Sequence, residues 1–93
     1  METETSWKLF ATLAEAAGGR REVVVGVDEP EPTVGDALDA LLDVHPDLEP
    51  LVVEDGALRP QVNLLVNGDR ASLDDPVSAD DEFALFPPVS GGE

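Results

Sequence analysis

The segment from Thr33 to His45 restricts the architecture of this chain more than any other, because it is one amphipathic helix set among strand-forming runs. Thr33 supplies an N-cap hydroxyl. Asp36, three positions on, places a carboxylate against the positive end of the helix and can return a bond to the cap, although Glu or Gln is the preferred residue there. Val34, Leu38, Leu41 and Leu42 share one helical face, while Asp36, Asp39 and Asp43 stay off it. Pro46 ends the helix, since proline disfavours a helical residue before it. The apolar stripe has to be buried against something, and the remaining runs read as strands.

Trp7-Lys8-Leu9-Phe10-Ala11 alternates, with Trp7, Leu9 and Ala11 inward and Lys8 and Phe10 outward. Residues 13–17 form one helical turn, ended by Gly18-Gly19, and residues 21–27 form a Val-rich second strand. The acidic, proline-containing residues 28–32 make a loop. Residues 46–60 hold three prolines and predict short turns packed by Leu48, Leu51, Val52 and Val53. Residues 61–66 form a third strand. Asn67-Gly68 then signals a tight hairpin, because a type I′ turn needs φ > 0 at both central residues. A return strand over 69–73, a polar connection over 74–81 and a last strand over 82–86 complete the body. Strands in this order around one helix bury their apolar faces by wrapping the sheet over it, which predicts an α+β roll.

Residues 87–93 carry the chemistry. Phe86-Pro87-Pro88 ends the last strand, because proline has no N–H and holds φ near −65°. Val89-Ser90-Gly91-Gly92-Glu93 follows. A glycine pair has no Cβ and can enter a channel closed to other residues. At about 3.1 Å per extended residue, such an arm reaches on the order of 20 Å, enough to enter a partner's active site. The expected organisation is a flexible arm over residues 1–5, one domain over 6–86 and an extended tail over 87–93.

Lys8, Asn63 and Glu82 mark the solvent parity of three strands, and by period two that parity also carries Phe10, Leu65, Ala84 and Phe86. Phe10, Leu65 and Phe86 therefore predict an apolar patch on the outer sheet face, the kind of surface that serves partners. Lys8 is the sole lysine and so the sole side-chain amine at which the chain itself can be modified.

Ninety-three residues make one domain. With 5 Lys plus Arg against 21 Asp plus Glu, the net charge is −16, which repels nucleic acid and acidic membrane surfaces. Salt screens such a field over roughly 10 Å at 0.1 M and about 3 Å at 1 M, so this charge density predicts a high-salt cytosol. The absence of cysteine excludes disulfides, iron–sulfur clusters, Cys-based zinc sites and thiol nucleophiles. Neither a targeting segment nor a membrane span is legible, so the expected location is the cytoplasm. The carboxylates show no metal-loop spacing, and no set of nucleophile, base and orienting group can be assembled. The expectation is no catalytic residue, no metal site and no intrinsic cofactor. Trp7 reads as core or core rim, and His45 as structural or surface.

Taken together, Phe10-Ala11-Thr12-Leu13-Ala14-Glu15, Pro32-Thr33-Val34-Gly35-Asp36-Ala37-Leu38, Val66-Asn67-Gly68 and the run from Asp81 through Phe86-Pro87-Pro88-Val89-Ser90-Gly91-Gly92 resemble the MoaD/ThiS branch of the ubiquitin-like β-grasp proteins. The acidic composition is most similar to that of the small archaeal modifier proteins of halophilic archaea. The resemblance implies a β-grasp roll with a mixed sheet of about four to five strands over one main helix. It also implies a carrier whose Gly92 carboxylate is adenylated by an E1-like enzyme using ATP and magnesium. A sulfur nucleophile then yields a thiocarboxylate for molybdopterin synthase, through its large subunit, or for tRNA thiolation. A lysine of a target protein instead yields an isopeptide-linked modifier, and the residues leave both branches open.

Pro87, Pro88, Val89, Ser90 and Gly91 would be the tail that partners recognise. Glu93 departs from the family ending, so the resemblance implies its removal by a JAMM-type metalloprotease to expose Gly92. The alternative is a non-conjugated ubiquitin-like interaction domain that uses its apolar sheet face and keeps Glu93. A second departure is Asp80-Asp81-Glu82, where the family has an Asp-Gly-Asp-Glu turn.

Overall fold

A computed structural model of the chain describes residues 3–87. Strand β1 (Thr3–Leu9) buries every second residue, namely Thr5, Trp7 and Leu9. It pairs antiparallel with β2 (Glu22–Val27), from Thr3 opposite Val27 to Lys8 opposite Glu22. The short helix α1 (Thr12–Ala16) makes the connection. This pairing corrects the expected arm over residues 1–5, since Thr3, Glu4 and Thr5 already belong to β1.

Thr5 explains why a polar start becomes strand. Its hydroxyl donates to the Val25 carbonyl at 3.0 Å and accepts from the Trp7 indole N–H at 2.9 Å. A buried threonine and a buried tryptophan thus satisfy each other. The strand also ends earlier than Ala11. Ala11 has φ 53°, ψ −124°, which breaks the strand, and it is exposed where the alternation places it inward.

Helix α2 (Val34–Val44) carries both halves of the expected capping box: Asp36 N–H donates to Thr33 Oγ1 at 3.2 Å, and Thr33 N–H donates to Asp36 Oδ2 at 3.0 Å. The first helical N–H groups also find acceptors, Val34 on Asp75 O at 2.8 Å and Gly35 on Leu73 O at 2.9 Å. Val34, Ala37, Leu38, Leu41 and Leu42 are buried. Residues 46–60 are more regular than the expected turns. A 3₁₀ turn (Pro46–Leu48) and α3 (Glu49–Val52) lead into a hairpin of β3 (Val53–Glu54) and β4 (Ala57–Leu58). The hairpin turns at Asp55-Gly56, with φ of 54° and 79°. Leu48 and Val52 pack into the core as expected, but Leu51 is exposed.

Strand β5 (Asn63–Val66) turns at Asn67-Gly68, where φ is 54° and 88°, into β6. The return strand is only Asp69–Arg70, shorter than the expected 69–73. A local turn captures the backbone after Ala71, with Ser72 N–H donating to Asp75 Oδ2 at 2.9 Å and Asp75 N–H to Ser72 O at 3.0 Å. Strand β7 (Glu82–Phe86) enters the middle of the sheet, parallel to β1 and antiparallel to β5. The order β2-β1-β7-β5-β6 is mixed, with the first and last strands joined at its centre. Trp7 and Phe83 stack on the inner face, centroids 4.4 Å apart, within the same core as the buried face of α2.

Candidate functional site

The parallel pairing of β1 with β7 builds the site. Its register runs from Ser6 opposite Glu82 to Leu9 opposite Leu85, so the next residues, Phe10 just past β1 and Phe86 at the end of β7, stand side by side. Their rings stack with centroids 4.3 Å apart and planes 8° from parallel. Contact between rings adds to the area they bury, so each phenylalanine holds the other in place on a wet face. Phe10 is 39% exposed and Phe86 half-buried. Pro87 follows at once, outside β7, which makes this stack the root of the tail.

One row further in, Leu65, Ala84 and Lys8 lie across neighbouring strands, with Leu65 opposite Ala84 and Ala84 opposite Lys8. Leu65 is half-buried and Lys8 exposed. The expected outer-face set is therefore brought together on adjoining rows, with the aromatic pair in contact. Arg70 joins this face without a signal in the strand parity. It stands opposite Leu65 and donates from its guanidinium to Asn63 Oδ1 at 2.8 Å. The two-residue Asn67-Gly68 turn is the feature that gives this position, since such a turn fixes the register of both strands.

Beside Phe10 a groove of about 710 Å³ is lined by Lys8, Leu9, Phe10, Ala14, Arg21 and others. Lys8, Arg21 and Arg70, three of the five Lys and Arg residues of a chain with net charge −16, lie around the stack, and Glu15 and Glu22 line the same groove, so cations and carboxylates are interspersed there. Among the described residues the ion pair within 4.0 Å is Arg59 with Glu54, at 3.6 Å, which leaves Lys8 and Arg70 facing solvent without a carboxylate partner in that set. No group of three or more His, Asp or Glu side chains able to hold a metal occurs among the described residues, and none of their helices is long and apolar enough to cross a membrane. Trp7 is fully buried in the core, and His45 closes α2 by donating its backbone N–H to Leu41 O at 2.9 Å. Pro88, Val89, Ser90, Gly91, Gly92 and Glu93 lie outside the described residues.

Asp80, in the turn that departs from the family pattern, adopts φ 75°. That is the left-handed region glycine occupies readily and aspartate tolerates, so the replacement keeps the turn.

A mixed five-stranded sheet folded over one long helix, with its last strand central and parallel to its first, defines the ubiquitin-like β-grasp class. The chain belongs to the ThiS family, whose model matches residues 7–92. It is 58% identical over 87 residues to Small archaeal modifier protein 1 of Haloferax volcanii, across 92% of this chain and 98% of that protein. It is 37% identical over 93 residues to Small archaeal modifier protein 3 of the same organism, across 96% of this chain and 99% of that protein. The crystal structure of the first of these superposes with a TM-score of 0.87 at 53% identity, covering 96% of this chain and 99% of that one. Proteins of this group are ubiquitin-like carriers rather than catalysts.

Proposed function

We propose that this protein is an acyl carrier whose reactive group is the carboxylate of Gly92. The observation that carries the reading is the Phe10–Phe86 stack at the point where β7 gives way to Pro87. It anchors the start of a proline-glycine tail on an apolar, partly cationic face in a protein of the ThiS family. A partner that grips this face holds the globule while residues 87–93 extend into its active site, and Pro87, Pro88, Val89, Ser90 and Gly91 are the segment it reads.

The chemistry belongs to the partner. A carboxylate repels nucleophiles and lacks a leaving group, so it must be activated before acyl transfer. An E1-like enzyme with ATP and magnesium supplies this step: a Gly92 carboxylate oxygen attacks the α-phosphorus, pyrophosphate leaves, and the product is an acyl-adenylate. Hydrosulfide displaces AMP to give a thiocarboxylate directly, and a partner's persulfide gives an acyl disulfide that a second thiol of the partner cleaves to the thiocarboxylate with formation of a disulfide. The thiocarboxylate is the form used by a molybdopterin synthase large subunit or in tRNA thiolation. Attack by a target-protein lysine gives an isopeptide instead. Lys8, exposed beside the stack, is the acceptor side-chain amine on this chain.

A chain that carries Glu93 after Gly92 presents the wrong carboxylate. It becomes a carrier on hydrolysis of the Gly92–Glu93 bond, the work of a JAMM-type metalloprotease. The test is to incubate Gly92-ended and Glu93-ended proteins with the E1-like enzyme of the source cell and ATP, following pyrophosphate release and intact mass. Activation of the Gly92-ended form alone supports the reading. Inertness of both leaves the non-conjugated interaction domain in its place.

A further inference from the structure

Strand β2 ends the sheet on one side, with β1 as its sole neighbour in the strand order of the described residues. One hydrogen bond fixes the phase of its open edge. Leu9 N–H donates to Arg21 O at 2.8 Å, so Arg21 and the residues at two-residue steps from it, Val23, Val25 and Val27, turn their backbone groups toward β1. Glu22, Val24 and Gly26 turn theirs outward, toward the edge. The side chain at the middle of this row is Val24, which at 64% exposure is the most exposed large apolar residue of those described.

We propose that this edge pairs with the same edge of a second copy, antiparallel about a two-fold axis through Val24. The occupant follows from register and charge. Only Glu22, Val24 and Gly26 can bond across the edge, which limits an isologous pair to a few registers. Centring on Val24 places it opposite Val24 of the second copy and Glu22 opposite Gly26, so no carboxylate meets another within the strand. Arg20 and Asp28 flank the two ends of β2, with the chain bending at Arg21, so this register brings the Arg20 end of each copy toward Asp28 of the other, and the symmetry does so twice. Shifting the register one way faces Glu22 with Asp28. Shifting it the other way faces Arg20 with Gly26 and loses both ion pairs.

The edge therefore has a basic start, an apolar centre and an acidic end, and antiparallel pairing with itself satisfies all three. Pairing in the plane of the sheet also leaves the Phe10–Phe86 face of each copy uncovered. Two molecules of net charge −16 repel over distance, and roughly 1 M salt confines that repulsion to about 3 Å. The dimer consequently tightens as salt rises.

Sedimentation equilibrium of the whole chain in 0.1 M and 2 M KCl tests this. The expected result is a weight-average mass that climbs with concentration from 9.8 kDa toward twice that value in 2 M KCl, and stays near the monomer in 0.1 M. Val24→Glu, at an exposed position whose retained fold circular dichroism checks, abolishes the association. Arg20→Asp weakens it about two- to threefold, because exposed pairs are largely screened in 2 M KCl, and Arg20→Asp combined with Asp28→Arg restores it. A monomer at every concentration in 2 M KCl overturns the proposal, as does a dimer indifferent to Val24→Glu and to the charge exchange.

Discussion

Phe10 and Phe86 stand 76 positions apart in the chain, yet their rings stack at 4.3 Å because the parallel register of β1 and β7 delivers both to the same edge. The contact joins the first turn of the protein to the root of its tail. Phe10→Asp removes the apolar anchor and places a charge on the face. Loss of the stacking should cost about 0.5–1.5 kcal/mol of stability, because Phe10 is partly exposed and outside the core. Activation by the E1-like enzyme should fall by much more, on the order of thirtyfold, as for a central aromatic at an interface. Thermal melts alongside pyrophosphate release separate the two effects. A protein that unfolds outright would refute the outer-face assignment.

Thr5 makes a second prediction, in the core. Thr5→Val preserves shape and removes the one acceptor seen for the Trp7 indole N–H, which is buried 2.9 Å from the hydroxyl oxygen. A buried donor left unpaired costs about 1–3 kcal/mol, so the more apolar side chain should destabilise the protein by that amount. Thr5→Ser keeps the oxygen and should cost less. Chemical unfolding of the parent and the two variants gives the order, and a Thr5→Val variant as stable as the parent would show that the pair contributes nothing.

The parts of the fold that are legible in the sequence are those whose causes are local. Thr33 and Asp36 announce α2 within four residues, and Asn67-Gly68 announces its hairpin within two. Asp55-Gly56 carries the same turn chemistry, but the runs beside it are two residues each and show no alternation, so β3 and β4 leave no pattern to read. Thr5 reads as loose polar chain because its acceptor, the Val25 carbonyl, lies 20 positions away. For the site, period-two parity is enough to put Phe10, Leu65 and Phe86 on one face. That Phe10 touches Phe86 depends on a parallel pairing between the first and last strands, which no local pattern encodes.

Charge gives a third prediction. The described residues contain one ion pair within 4.0 Å, Arg59 with Glu54, and its side chains are 34% and 59% exposed. Salt therefore has little attraction to screen and much repulsion, given 21 acidic residues against 5 basic ones. The thermal midpoint should rise between 0.1 M and 2 M KCl. A gain of about 1–2 kcal/mol would move it by roughly 5–15 °C in a domain of this size. Circular dichroism melts at the two concentrations decide it, and equal midpoints would show that the carboxylates are spaced widely enough not to matter.

Ala11 makes the last prediction. Its φ of 53° and ψ of −124° are those of the first central residue of a type II′ turn, and Leu13 N–H closes that turn on Phe10 O at 3.1 Å. Glycine is the residue such a position favours, since a Cβ there meets the neighbouring backbone. The strain costs of order 1–3 kcal/mol. Glycine relieves it but makes the unfolded chain more flexible, which takes back roughly 0.5–1 kcal/mol. Ala11→Gly should therefore stabilise the protein by about 1 kcal/mol, seen as a rise of roughly 4–8 °C in the thermal midpoint. Because the turn is what aims Phe10 at Phe86, the relaxed backbone should keep the stack, and activation of the Gly92-ended form should be unchanged. A higher midpoint with weaker activation would instead mean that the strained alanine holds Phe10 in the orientation the partner requires.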